Sequence, residues 1–168
     1  QTLTINVIIY GESSMYAFYH TPIEVPAGDG VVVHIPWNDF SHPQYGKYID
    51  GNTRIQYPGF KITGVSSGGT VYIDSLGVYK NGTVKTQHDS TTIVKKSYDN
   101  DTSVAVDTVP SGMSVSLTNT PNNVYGETGK AIQVDYSLAS NARTMLFRFG
   151  CNYIPAPLEG DGLAFWVK

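Results

Sequence analysis

The chain opens on an alternation. Leu3, Ile5, Val7 and Ile9 interleave with Thr2, Thr4, Asn6 and Ile8, and a two-residue period puts the first set on one face of an extended strand. The period returns at Val31, Val33 and Ile35, which alternate with Val32 and His34. Apolar or alternating runs at 54–65, 70–79, 103–107, 113–119, 131–138, 144–150 and 162–167 predict further strands. Turn signals rich in Gly, Pro, Ser and Asn fall at 26–30, 57–59, 66–69, 110–112 and 121–123. No segment carries a convincing helical period. About ten short strands in one domain predict an all-β fold, a mostly antiparallel β-sandwich or jelly roll.

One stretch departs from this pattern. Residues 81–96 (NGTVKTQHDSTTIVKK) are polar and nearly aperiodic, and they read as a linker. They divide a single domain, 1–168, into a first part, 1–80, and a second, 97–168. Each part is about half the size of an ordinary domain, so neither is expected to be stable alone.

Composition narrows the function. Lys and Arg total 11 against 14 Asp and Glu, and no basic patch stands out, so nucleic acid is not an expected partner. No apolar run approaches the roughly 18–20 residues of a membrane helix, so no membrane partner is expected either. The single cysteine, Cys151, rules out a disulfide within the chain and reads as a small core hydrophobe. The 12 tyrosines outnumber the 6 phenylalanines. Tyrosine is a good strand former, and its ring also offers a sugar a flat apolar surface with a hydroxyl at its edge.

Four motifs carry a resemblance. They are Lys130–Leu138 (KAIQVDYSL), Asp161–Lys168 (DGLAFWVK), His34–Phe40 (HIPWNDF) and Thr70–Tyr79 (TVYIDSLGVY). Together they resemble the β-sandwich carbohydrate-binding modules of family 11, whose pattern runs through "kAlxVdYs", "DGLxFWVKGDGS", "IPwxdF" and "vyIDslxvY". Here the two blocks are exchanged: 97–168 carries the opening portion and 1–80 the closing one. The last strand, read into the first, looks like the middle of such a module. The order fits a circular permutant, or a chain spanning two tandem modules, and the second case allows a domain-swapped homo-oligomer. The resemblance implies a secreted, extracellular, bacterial protein attached to a plant-polysaccharide hydrolase. The implied ligand is a β-glucan, glucomannan or related hemicellulose.

The resemblance also implies a structural calcium ion, held by Asp74 together with Asp99 and Asp101, with Asp107 in reserve; a solvent-facing turn aspartate is the plain alternative for Asp74. Carboxylates converging from separate segments suit calcium, which takes six to eight oxygen ligands. Tyr136 matches a position that faces the sugar in such modules, although alternation with Ile132 and Val134 would turn it toward the core.

Other candidates come from the residues themselves. In MYAFYH, Tyr16 or Tyr19 is a stacking platform, and Tyr57 and Tyr153 are similar loop-edge rings. Arg148 alternates with Phe147 and Phe149, so it points away from them, and its five fixed donors suit neighbouring hydroxyls. Arg143, Asp50, Asn52 and Gln56 are weaker polar candidates, and Trp37 and Trp166 read as packing residues. The four histidines show no metal-ligand spacing.

These features favour a non-catalytic module that binds a polysaccharide in an aromatic-lined cleft. A β-sandwich assembly module without a working cleft is the alternative. A glycoside hydrolase is remote, because none of Glu12, Glu24, Glu127 and Glu159 lies in a recognisable catalytic motif.

Overall fold

β-Branched and aromatic residues at alternating positions favour pleated strands, and strands dominate the structure. The computed structural model describes residues 2–11, 17–19, 21–42, 55–63, 68–80, 83–84, 95–96, 106–108, 111–127, 129–137, 145–149 and 161–168. Thirteen strands run through them: β1 (Leu3–Gly11), β2 (Ala17–Tyr19), β3 (Ile23–Val25), β4 (Val31–Pro36), β5 (Ile55–Thr63), β6 (Gly69–Lys80), β7 (Thr83–Val84), β8 (Lys95–Lys96), β9 (Val106–Thr108), β10 (Met113–Thr118), β11 (Ala131–Tyr136), β12 (Met145–Phe149) and β13 (Gly162–Val167). Two 3-10 turns, Trp37–Asp39 and Tyr125–Glu127, are the helical elements among the described residues.

The strands form two antiparallel sheets. One has six strands in the order β2-β1-β5-β12-β9, with β3 also pairing β1. The other has seven, in the order β10-β11-β6-β13-β4, with β7 and β8 pairing β6. Their facing sides make one core, as expected of an all-β sandwich. The six-stranded sheet contributes Leu3, Ile5, Val7, Ile9, Phe60 and Ile62. The seven-stranded sheet contributes Ile35, Val71, Ile73, Leu76, Ile132, Val134, Leu163, Phe165 and Val167. Phe60 and Phe165 meet edge to face across the layers, with ring centroids 5.1 Å apart.

Both sheets interleave the two parts of the chain. In the seven-stranded sheet, β4 and β6 come from the first part, and β13 lies between them. In the six-stranded sheet, β5 of the first part pairs with β12 of the second.

Two expectations change. The turn signal at 57–59 lies inside β5, where Tyr57, Pro58 and Gly59 pair with Tyr10, Ile9 and Ile8. The described β12 ladder runs only from Ile62 to Gly59, so Pro58, which has no N–H to give, sits just beyond its end. The stretch 81–96 is not wholly a linker. β7 folds back on β6 with Lys80 opposite Thr83. β8 adds Lys96 opposite Leu76.

Candidate functional site

The outer face of the six-stranded sheet collects several of the candidate residues. On β1 the core takes Leu3, Ile5, Val7 and Ile9, so alternation turns Thr4, Asn6, Ile8 and Tyr10 outward. Residues directly opposite in an antiparallel pair share a face. Tyr10 is opposite both Tyr57 and Ala17, and Ile8 is opposite both Gly59 and Tyr19. Gly59 is in turn opposite Arg148. Positions 10, 19, 57 and 148 therefore occupy one face of four adjacent strands. Tyr10 was not singled out by the sequence reading; its outward place in the opening alternation was the signal.

This face is partly sheltered. Ile8 is only 2% exposed although it points away from the core cluster. Asn6 Oδ1, on the same side of β1, is buried and accepts no hydrogen bond among the described residues. A buried acceptor left unpaired is uncommon.

Tyr136 lies elsewhere. It is on β11 with Ile132 and Val134, half-buried and packed against the core. Its neighbours in register are Met113 and Gly69. An added Cβ at Gly69 would stand 2.5 Å from its hydroxyl oxygen, so glycine there admits the ring against the β6 backbone. Burial pushes the Tyr136 phenol above its usual pKa. Tyr16 and Tyr153 lie outside the described residues, as do Arg143, Asp50 and Asn52.

Asp74 is not a solvent-facing turn residue. It is 7% exposed and sits at an irregularity in β6, where Ala164 and Trp166 of β13 face Gly77 and Asp74. Three steps along β6 thus match two along β13, and the extra residue is taken up at a bulge. Ser75 there has a positive φ of 51°. The Ser75 N–H donates to Asp74 Oδ1 at 2.6 Å, and the Tyr125 N–H donates to Oδ2 at 2.8 Å. The carboxylate thereby pins the 3-10 turn that follows buried Val124, and the Tyr125 ring tilts against Trp166 with centroids 6.4 Å apart. An added Cβ at Gly30 would overlap the Trp166 indole, so glycine lets the 26–30 loop close over that side chain.

The bulge gives a direct test. A non-glycine residue at positive φ is strained. Ser75→Gly is expected to raise stability by about 0.5–1 kcal/mol, because relief of that strain outweighs the added freedom of the unfolded chain. Ser75→Val is expected to lower it by more than about 1 kcal/mol. Urea midpoints of the two variants check the sign.

As a calcium donor, Asp74 fits in part. Its two carboxylate oxygens are oxygen donors of the kind calcium takes, and they accept the Ser75 and Tyr125 N–H groups. Asp99 and Asp101 lie outside the described residues, and Asp107 is placed on β9. Among the described residues, no three His, Cys, Asp or Glu side chains gather as a metal-holding group. Also among them, no helix is long and apolar enough to cross a membrane.

Comparisons with protein families, with curated proteins and with solved structures return no match.

Proposed function

We propose that this chain is a non-catalytic polysaccharide-binding module of the family 11 type, with its two halves exchanged. Its ligand is an extended neutral glycan, a β-glucan or related hemicellulose, lying across the outer face of the six-stranded sheet. The observation that carries this reading is the register that brings Tyr10, Tyr19, Tyr57 and Arg148 to one face. Tyr19, Tyr57 and Arg148 are also residues whose sequence context points to sugar contact. A row of rings offers apolar area to successive pyranose faces, and a guanidinium offers donors to their hydroxyls. The four quoted motifs support the same reading. Such a module serves a secreted hydrolase by raising its effective concentration on the polymer.

A structural calcium ion at Asp74 belongs to this proposal, with Asp99 and Asp101 as partner carboxylates. The ion would supply charge neutralisation and a cross-link between β6 and the segment after β8.

Isothermal titration with barley mixed-linkage β-glucan tests the reading, with glucomannan and xylan alongside. Saturable heat in the micromolar range is expected, about −7 to −8 kcal/mol. Arg148→Ala and Tyr57→Ala are each expected to weaken binding by about tenfold or more while the far-UV spectrum stays unchanged. Absence of heat from all three polymers on the folded protein overturns it and favours the assembly module.

A further inference from the structure

The outer face of the six-stranded sheet carries a second cation besides Arg148. On β5, Phe60 and Ile62 enter the core, so alternation turns Lys61 outward together with Gly59. Lys61 is opposite Asn6 of β1 on one side and Leu146 of β12 on the other. Arg148 follows Leu146 by one outward step along β12 and is opposite Gly59. Positions 61 and 148 are thus diagonal neighbours, about 7–8 Å apart along the backbones and within reach of one another through long side chains. The corner between them is Gly59, which places no side chain there.

The Lys61 charge has no neutralising partner in the described face. The residue is half-buried, and among the described residues it forms no ion pair. Asn6 Oδ1, on the residue opposite, accepts no hydrogen bond, so the ammonium is not spent there. The acid on this side of the sheet is Glu24 of β3, opposite Thr4. It lies two strands and one outward step from Lys61, about 12 Å away, which exceeds the roughly 10 Å over which salt at about 0.1 M screens exposed charges. Asp107 falls at the irregularity in the β9–β12 pairing, on the far side of β12 from Lys61.

Two cations at diagonal positions around a glycine suit an anion set between them. A guanidinium fork and an ammonium both form charge-assisted hydrogen bonds to a carboxylate. We infer that Lys61 and Arg148 seat a carboxylate of the ligand, so that the glycan this face prefers carries uronic acid. Positions 10 and 57 lie one outward step beyond Gly59, about 7 Å along the strand, so an adjoining neutral sugar still meets the aromatic row. The inference rests on the proposed polysaccharide reading, and it narrows the ligand from hemicelluloses in general to those bearing acidic residues.

Isothermal titration with glucuronoxylan tests it, against the same polymer after its carboxyl groups are reduced to hydroxymethyl, with barley β-glucan alongside. The acidic polymer is expected to bind about three- to tenfold more tightly than its reduced form at low salt. That ratio is expected to fall as salt is raised. Lys61→Met keeps an apolar stem and removes the charge, and it is expected to bring the two affinities within about twofold of each other; Lys61→Arg is expected to retain the preference. Equal affinity for the two xylans, or binding of β-glucan alone, overturns the inference and leaves the polysaccharide reading standing. A preference undiminished in Lys61→Met overturns it too, because the carboxylate is then held elsewhere. Loss of the preference in millimolar acetate, at constant ionic strength, makes the seat a general anion site and overturns the assignment to uronic acid. No heat from any of the polymers on the folded protein overturns both.

Discussion

Phe60→Ala is expected to destabilise the protein by about 3–5 kcal/mol, the range for removing a fully buried aromatic ring. Phe60 has no exposure and lies on β5, between Val7 of β1 and Phe147 of β12 in register. Its ring is also half of the edge-to-face pair with Phe165 that joins the sheets, a geometry that adds about 0.5–1.5 kcal/mol to simple burial. At this chain length a loss of about 4 kcal/mol lowers the melting temperature by about 8–16 °C. Phe60→Leu keeps most of the volume and is expected to lose less than half as much. Urea titration with an unchanged slope and a lower midpoint is the expected signature. A loss below about 1 kcal/mol would show that the layers do not pack at this point.

Asp74→Ala is expected to lose a similar amount, about 3–4 kcal/mol, by a different cause. The carboxylate accepts the Ser75 and Tyr125 N–H groups in a part-buried place, and hydrogen bonds to a charged group contribute about 1.5–3 kcal/mol each. Removing it strands two backbone donors. Asp74→Asn keeps one acceptor oxygen and is expected to fall between wild type and alanine. Calcium separates the two roles of this residue. If the ion is bound, a chelator lowers the wild-type melting temperature and leaves Asp74→Ala unmoved. An unchanged wild-type melting temperature removes calcium from the proposal and leaves Asp74 a structural hydrogen-bond acceptor.

The fold was legible where one face of a strand is buried and the other is not. The alternation of β1 is visible at once, because Leu3, Ile5, Val7 and Ile9 all enter the core. β13 was legible for the opposite reason: every residue from Gly162 to Val167 is buried, and the segment reads as a continuous apolar run. Long-range pairing was not legible. Nothing near Tyr57 announces Tyr10 as its partner, and Pro58–Gly59 imitates a turn because its local preferences take no account of which ladder ends beside it. Asp74 was recognisable as a special aspartate, but its partner Tyr125 stands 51 residues away. For Tyr136, alternation and resemblance disagreed about direction, and burial settled the side chain on the core side of β11.

The position of β13 has a consequence for how the molecule is made. This strand is the last described element of the chain, yet it fills the slot between β6 and β4. During synthesis both of those strands leave the ribosome long before it does. Until β13 arrives, each presents a row of unpaired backbone groups and an uncovered apolar side. Closure then depends on contacts between distant parts of the sequence, which form slowly and leave the nascent chain open to mispairing. Yield in a cell should therefore respond more to chaperone supply and temperature than the stability of the finished molecule would suggest.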